Sequence, residues 1–309
     1  MPHTPRILGL ITIWILTLPL RAALAQEVGA QAGLAWQIAL DREGFSPGLL
    51  DGNPGAKTAL ATREFQKSRG LAATGTLDAA TAAALLIEST PVLGHYTVTA
   101  DDFAQIGPVP KDWNEKAKLA RLGYESMDWV LSEKFHCTRA LLARLNGGRD
   151  PSTFKPGETI IAPATALTPT ISAGSSIEIN LTEKVIRVLS AEGRVVGMFH
   201  CSIAAKESKR PTGAGRVVVI SPNPTYKFDP KMWPDVTNVH RVLMIPPGPR
   251  NPVGLCWIGL NLPGYGMHGT PNPEMIGKTG SHGCFRLANW DALRLSKMVA
   301  AGMPVKFVY

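Results

Sequence analysis

The sequence predicts a multidomain α+β protein: a small helical N-terminal module, a mixed middle segment and a mostly β C-terminal domain. Three observations carry that prediction. The chain has 309 residues, about twice a ~150-residue domain. Its apolar pattern changes along the way, from helical spacing before residue 90 to period two after residue 176. Its 30 glycines and 25 prolines exceed the average share of roughly 12%, which suits many turns and linkers rather than one long bundle. Hydrophobic residues make up 45% and glycine has no three-residue period, so disordered and collagen-like chains are excluded.

Residues 1–25 read as a secretory signal peptide. Arg6 precedes a 14-residue apolar run from Ile7 to Leu20, and Ala23-Leu24-Ala25 offers a small-x-small cleavage site. The run is shorter than the ~20 residues a membrane-spanning helix needs, and no later segment is apolar enough to span. Cleavage after Ala25 makes Gln26 the first mature residue and places the protein outside the cytoplasm, in the periplasm or cell envelope. An uncleaved anchor is the alternative.

Residues 26–90 form the helical module. Leu34, Ile38 and the Ala35/Ala39 pair make a helical stripe that stops at Gly44. A glycine-rich turn from Gly48 to Gly55 leads into a second helix from about Lys57 to Arg69, closed by Gly70. A third runs from Asp78, a capping residue, to about Glu88. Residues 91–165 are mixed, with a strand at Tyr96–Thr99 and a helix from Tyr124 to Phe135. Residues 166–175, rich in Thr, Pro, Ser, Ala and Gly, are a linker.

From residue 176 to 309 the alternation of Ile177, Ile179 and Leu181, then Val185, Arg187 and Leu189, is that of half-buried strands. Further strands are predicted at Val195–Ile203, Arg216–Ile220, Val242–Ile245 and Leu255–Leu260. One helix follows, from Trp290 to Ala301, with Asn289 as its cap, Gly302 closing it and Pro304 preventing continuation.

The formal charge of +8 suits nucleic acid, anionic lipid or an acidic cell-wall polymer. No run of five basic residues and no recognition motif accompanies it, which argues against nucleic acid. The four cysteines, Cys137, Cys201, Cys256 and Cys284, are too few for a disulfide scaffold in an exported chain of this length. None has CxxC spacing, so a structural zinc site is not indicated. With one working thiol, at most one internal pair remains, and Cys201 with Cys256 is conceivable.

The chemistry gathers in two glycine-flanked segments. His268-Gly269-Thr270 is followed by Ser281-His282-Gly283-Cys284-Phe285-Arg286. A cysteine with histidines near strand ends reads as a nucleophile and its base. Gly266, Gly269, Gly280 and Gly283 permit close backbone approach, which a substrate cleft and an oxyanion site both need. No Asp or Glu lies within five residues before His268, and Glu274 follows six later. A third, orienting group is therefore at least as well supplied by a backbone carbonyl as by a carboxylate.

Over residues 176–308 these motifs, with Pro211-Thr212-Gly213 and Gly302-Met303-Pro304-Val305, resemble the L,D-transpeptidase (YkuD-like) catalytic domain. Phe285 stands where that family more often has Ile or Val. The resemblance implies Cys284 as nucleophile, His268 as general base, and Ser281, His282, Gly283, Gly269 and Arg286 as residues that shape the substrate and oxyanion site. No metal and no cofactor is implied. In the N-terminal module, Phe45-x-x-Gly48, Asp51-Gly52, Gly55-x-Lys57-Thr58, Phe65-Gln66, Gly70-Leu71 and Thr74-Gly75 resemble a helical peptidoglycan-binding domain. Leu141-Leu142-x-x-Leu145-Asn146 and Phe154-x-x-Gly157-Glu158-x-Ile160 resemble the second half of a LysM glycan-binding repeat, while the first half of the repeat is stretched.

The implied reaction is attack of the Cys284 thiolate on a peptidoglycan stem tetrapeptide, between the L-centre of its diamino acid and the terminal D-Ala. The resulting thioester passes to an amine, giving a 3→3 cross-link or attachment to a lysine of a wall lipoprotein. Partners are then stem peptides and glycan strands. Water as acceptor would make the protein an L,D-carboxypeptidase. Two readings from other classes stand beside it: a non-catalytic wall-binding protein, and a zinc peptidase using His268, His282 and Cys284. His-x-Cys is poor zinc spacing and no HExxH helix exists.

Overall fold

The computed structural model describes residues 31–89, 91–165, 171–233, 235–281 and 283–309. The signal segment 1–25, residues 166–170 of the linker and His282 lie outside the described residues. Helix α1 spans residues 31–42, followed by α2 (Ala56–Ser68) and α3 (Ala79–Ala84). The chain leaves α1 through Gly44, whose φ of +85° is left-handed and costs glycine little. Asp78 accepts the Thr81 N–H and so caps α3 as predicted. That helix is shorter than expected, giving way to a 3-10 turn at Ile87–Ser89. Buried Gln66 staples the module: its Oε1 accepts from Gly75 N–H at 2.8 Å and its Nε2 donates to Thr81 Oγ1 at 2.8 Å.

The middle segment is framed by an antiparallel pair, β1 (Leu93–Thr97) and β2 (Thr159–Pro163). Between them lie α4 (Ala100–Ala104), α5 (Trp113–Ala117), α6 (Met127–Lys134) and α7 (Arg139–Leu145). The helix predicted over 124–135 is α6, entered after Ser126. Val98, Leu131, Leu142, Phe154 and Ile160 form the core of this segment, and Leu34, Ile38 and Leu50 of the helical module are part of it. The two N-terminal modules are therefore not separate beads.

The C-terminal domain adds β3 (Ser176–Asn180), β4 (Val185–Leu189), β5 (Val195–His200), β6 (Ala214–Pro222), β7 (Tyr226–Phe228), β8 (Leu243–Ile245), β9 (Cys256–Leu260), β10 (Gly266–His268), β11 (Phe285–Arg286), α8 (Asn289–Met298) and β12 (Pro304–Val308). Eight of these strands make one sheet in the order β11-β10-β9-β6-β12-β3-β4-β5. The sheet curls until its ends meet: Ser202, just past β5, exchanges backbone hydrogen bonds with Arg286 of β11 at 2.9 and 3.0 Å. Ile177, Ile179, Ile186, Val188 and Phe199 alternate into a core closed by Ala292 and Leu295 of α8. Hairpin β7–β8 stands apart as a two-stranded sheet.

Two expectations are corrected. Asn289 is not a cap: Ala288 holds that place, and Asn289, fully buried, lies in the first turn of α8, which ends at Met298. An Asn before an apolar helical run has the composition of a cap, but here its amide serves tertiary contacts. Nor is there a Cys201–Cys256 disulfide. All four cysteines are free; Cys137, Cys201 and Cys256 are buried, the last two in the sheet's core.

Candidate active site

His268 ends β10 and is held on both sides, in register with Trp257 of β9 and Arg286 of β11. The imidazole stacks on the Trp257 ring, centroids 5.5 Å apart. The flanking glycines are there for close approach. A Cβ at Gly266 would sit 2.5 Å from the Trp257 ring, and one at Gly269 would sit 2.1 Å from Asn289 Oδ1.

His268 Nδ1 lies 2.6 Å from the Gly269 carbonyl oxygen. A carbonyl can only accept, so this contact places the proton on Nδ1 and leaves Nε2 as the basic nitrogen. The third group is thus a backbone carbonyl. Glu274 instead pairs with Arg139 at 3.4 Å. Burial pushes the imidazole pKa down to about 4, with Arg286 adding to the effect, so His268 is neutral around pH 7.

Cys284 precedes β11 and is the one cysteine of the four that is not buried. Its thiol donates to the Gly264 carbonyl at 3.2 Å. Burial raises its pKa, while a Gly266 hydrogen bond and the Arg286 charge pull the other way. The resting pair is therefore thiol and neutral imidazole. Ser281 braces this turn: its Oγ donates to Cys284 O at 2.5 Å and accepts from Gly283 N–H at 3.1 Å. Its backbone is clamped in turn between Ile203 and Ala205, so the curl of the sheet holds the cysteine segment.

Cys284, His268, Ser281, Gly283 and Arg286 line one cavity of about 770 Å³. Gly269 stands behind His268, and His282 is outside the described residues. Every charged side chain lining the cavity among the described residues is a cation: Lys209, Lys227 and Arg286. Such a cleft attracts an anionic ligand.

Sequence reasoning missed the support behind the histidine. Asn289 Oδ1 accepts from Leu255 N–H at 3.0 Å, and its Nδ2 donates to Glu133 Oε1 of α6 at 2.8 Å. Burial pushes the Glu133 carboxyl up to about 7. Buried Arg250 pairs with Glu125 at 2.6 Å, donates to the carbonyl of Pro271, which lines the cavity, and covers the Trp129 ring at 3.9 Å. These contacts join residues more than a hundred positions apart in most cases, and no local motif signals them.

The C-terminal domain finds its class in comparison with known proteins. Residues 174–307 match the family model of the L,D-transpeptidase catalytic domain, and residues 34–85 match that of the "Putative peptidoglycan binding domain". The chain thus carries an L,D-transpeptidase catalytic domain behind a peptidoglycan-binding domain. Among individual relatives, "Putative L,D-transpeptidase YkuD" of Bacillus licheniformis is 27% identical over 59% of this chain and 92% of that protein. "Putative L,D-transpeptidase YqjB" of Bacillus subtilis is 30% identical over 37% of this chain and 60% of that one. Of solved structures, the L,D-transpeptidase of Xylanimonas cellulosilytica aligns at 17% identity and a TM-score of 0.37, over 89% of this chain and 92% of that chain.

Proposed function

We propose that the protein is an exported, cysteine-dependent L,D-transpeptidase acting on peptidoglycan stem tetrapeptides. One observation carries the reading: the least buried thiol of the chain shares a cation-lined cleft with a histidine that is neutral and carries its proton on Nδ1. Nε2 of His268 takes the Cys284 proton as sulfur attacks the carbonyl carbon of the L-centre. Gly283 N–H is committed to Ser281, which leaves the Cys284 amide as the oxyanion donor. The imidazolium then protonates the departing D-Ala amine, and a thioester remains. A second amine attacks it, loses its proton to His268 and receives the acyl group, giving a 3→3 cross-link or a wall-attached lipoprotein. Lys209, Lys227 and Arg286 suit the carboxylates that a stem peptide carries.

The N-terminal modules fit wall association, the middle one as a LysM-like unit whose support is the β1–β2 pair around α6 and α7. Signature residues of the helical module are, however, occupied within the chain: Gln66 by its own turn, and Lys57 Nζ by the Ile276 carbonyl at 2.8 Å. Export rests on the signal segment, and mature protein recovered from the envelope is expected to begin at Gln26.

The test is intact-mass measurement after exposure of the full chain to a carbapenem, followed by turnover of a stem tetrapeptide with an amine acceptor. One acyl group per chain is expected, absent in Cys284→Ala and retained in Cys137→Ala. His268→Ala should slow acylation by about 100-fold or more. Modification of Cys284→Ala at the wild-type rate would overturn the assignment, and free tripeptide with released D-Ala but no cross-link would reassign the acceptor to water.

A further inference from the structure

Hairpin β7–β8 is not hydrogen-bonded into the eight-stranded sheet, so its position is fixed by packing and by bonds from outside that sheet. One side of it belongs to the cleft: Tyr226, Lys227, Met232 and Trp233 line the cavity that holds Cys284. The other side rests on a small core of Leu122, Phe228, Val239, Leu243 and Ile245. Leu122 comes from the middle module, and so does Trp113, which packs against that core.

Trp113 stacks on Phe228 with ring centroids 4.2 Å apart and planes 23° apart. It also lies 5.9 Å from the Trp233 ring and 6.3 Å from that of Tyr226. Trp233 Nε1 donates to the Tyr226 hydroxyl at 3.2 Å, which joins the two cavity-lining aromatics to each other. Backbone ties follow the same path. Leu122 N–H donates to Pro247 O at 2.8 Å, and Asn114 Nδ2 donates to Asn238 O at 3.3 Å. The roof of the cleft is thus held from behind by residues 113–122, which belong to a different module from the catalytic pair.

We infer that Trp113 is a positioning residue for peptide recognition: its stack on Phe228 holds the Tyr226–Trp233 roof, and Lys227 with it, at the spacing that admits an extended anionic peptide to Cys284. This rests on the function proposed above and extends it from the reacting atoms to the accessory module. Trp113 does not line the cavity and takes no part in bond making. Its loss therefore acts on peptide binding and spares the intrinsic reactivity of the thiol.

The experiment uses full-length Trp113→Ala and Trp113→Phe, three readouts and a synthetic stem tetrapeptide. Trp113→Ala should raise KM for the tetrapeptide about tenfold with kcat within about twofold. Alkylation of Cys284 by iodoacetamide, small enough to need no roof, should stay at the wild-type rate. Amide exchange over residues 226–245 should accelerate while that of β3 and β4 is unchanged, and Trp113→Phe should restore both KM and exchange. Faster exchange with an unchanged KM would overturn the recognition role, and unchanged exchange would overturn the clamp itself. If the wild type does not turn over the tetrapeptide, the proposed function falls. The exchange arm then decides the clamp alone.

Discussion

The helical module and the middle module both pack against the catalytic domain, but at different places and with different chemistry. The helical module lies along the outer edge of β5, where Ser46 N–H donates to Met198 O at 2.8 Å and Met198 N–H donates to Gly44 O at 3.0 Å. That contact covers an edge strand whose backbone groups would otherwise face water. Phe45 and Phe65 then share a core with Val185 and Met198, and buried Arg187 binds Glu64 through two hydrogen bonds of 3.1 Å. None of these residues lines the cleft. The middle module instead meets the loops and the hairpin that do: Glu133 through Asn289 behind Gly269, Glu125 through Arg250 at Pro271, and Trp113 at Phe228. One junction completes the fold of the sheet; the other sets the walls of the site.

The most severe way to break this comparison is to remove the first junction. Residues 176–309 contain every residue proposed for the reaction, yet on their own they would expose Val185 and Met198, both fully buried in the complete chain, and leave Arg187 without Glu64. The isolated segment is expected to be aggregation-prone or to melt well below the full chain, read by circular dichroism and size-exclusion chromatography. A segment that melts with the full-length Tm would show that the helical module is a passenger.

A smaller cut isolates the ion pair. Glu64→Ala leaves a buried guanidinium with Glu178 and Glu183 as its remaining carboxylates. Breaking a buried pair costs about 3–5 kcal/mol when nothing replaces it; here about 2 kcal/mol is expected because two partners stay. Urea unfolding should show the loss, and kcat/KM on the tetrapeptide should not change. A fall in kcat/KM in a variant that is still folded at the assay temperature would mean that this junction also reaches the cleft.

The division between the two junctions explains what was legible in the sequence. Strand β3 was readable because it buries one face, so Ile177 and Ile179 announce its period. Strand β4 is buried on both faces, Ile186 and Val188 in the sheet's core and Val185 under the helical module. The alternation of Val185, Arg187 and Leu189 therefore marked a strand but not its core-facing side. The meeting of Cys284 and His268 in one cavity was readable because glycines and a tight motif surround them. The roof was half visible. Val242–Ile245 has strand composition, whereas the three residues Tyr226–Phe228 are too short to show a period, and their partner Trp113 is more than a hundred residues away. Asn289 was misread for a related reason: its local context is that of a helix cap, and its partners, Glu133 and Leu255, come from elsewhere in the fold. Local sequence reports local geometry, while the wall of this cleft is built from contacts between modules.

The finest distinction between the junctions is in their response to pH, which runs in opposite directions. Burial raises the Glu64 carboxyl, but its hydrogen bonds to Arg187 and Lys67 outweigh that and leave it below its ordinary value of 4.5. The folded form therefore gives up its proton more readily than the unfolded one. Its contribution to stability is present above about pH 4.5 and is lost as pH falls. Glu133 is the reverse case, raised by burial to about 7 despite its bonds to Asn289 and Tyr124 and the charges of Arg250 and His136. Between about pH 4.5 and 7 the folded protein holds a proton that the unfolded chain has released, so stability falls as pH rises. Glutamine at either position cannot ionise and keeps an amide oxygen as acceptor. The Tm of the wild type minus that of Glu133→Gln should fall by a few degrees from about pH 5 to pH 8. The same difference for Glu64→Gln should instead shrink on acidification below about pH 4.5. His268 and His200, whose pKa values burial depresses to about 4 and about 3, add a rise in stability with pH in every variant and cancel in these differences. Two curves of the same sign would show that the junctions share one electrostatic environment, and the comparison drawn from their geometry would fail.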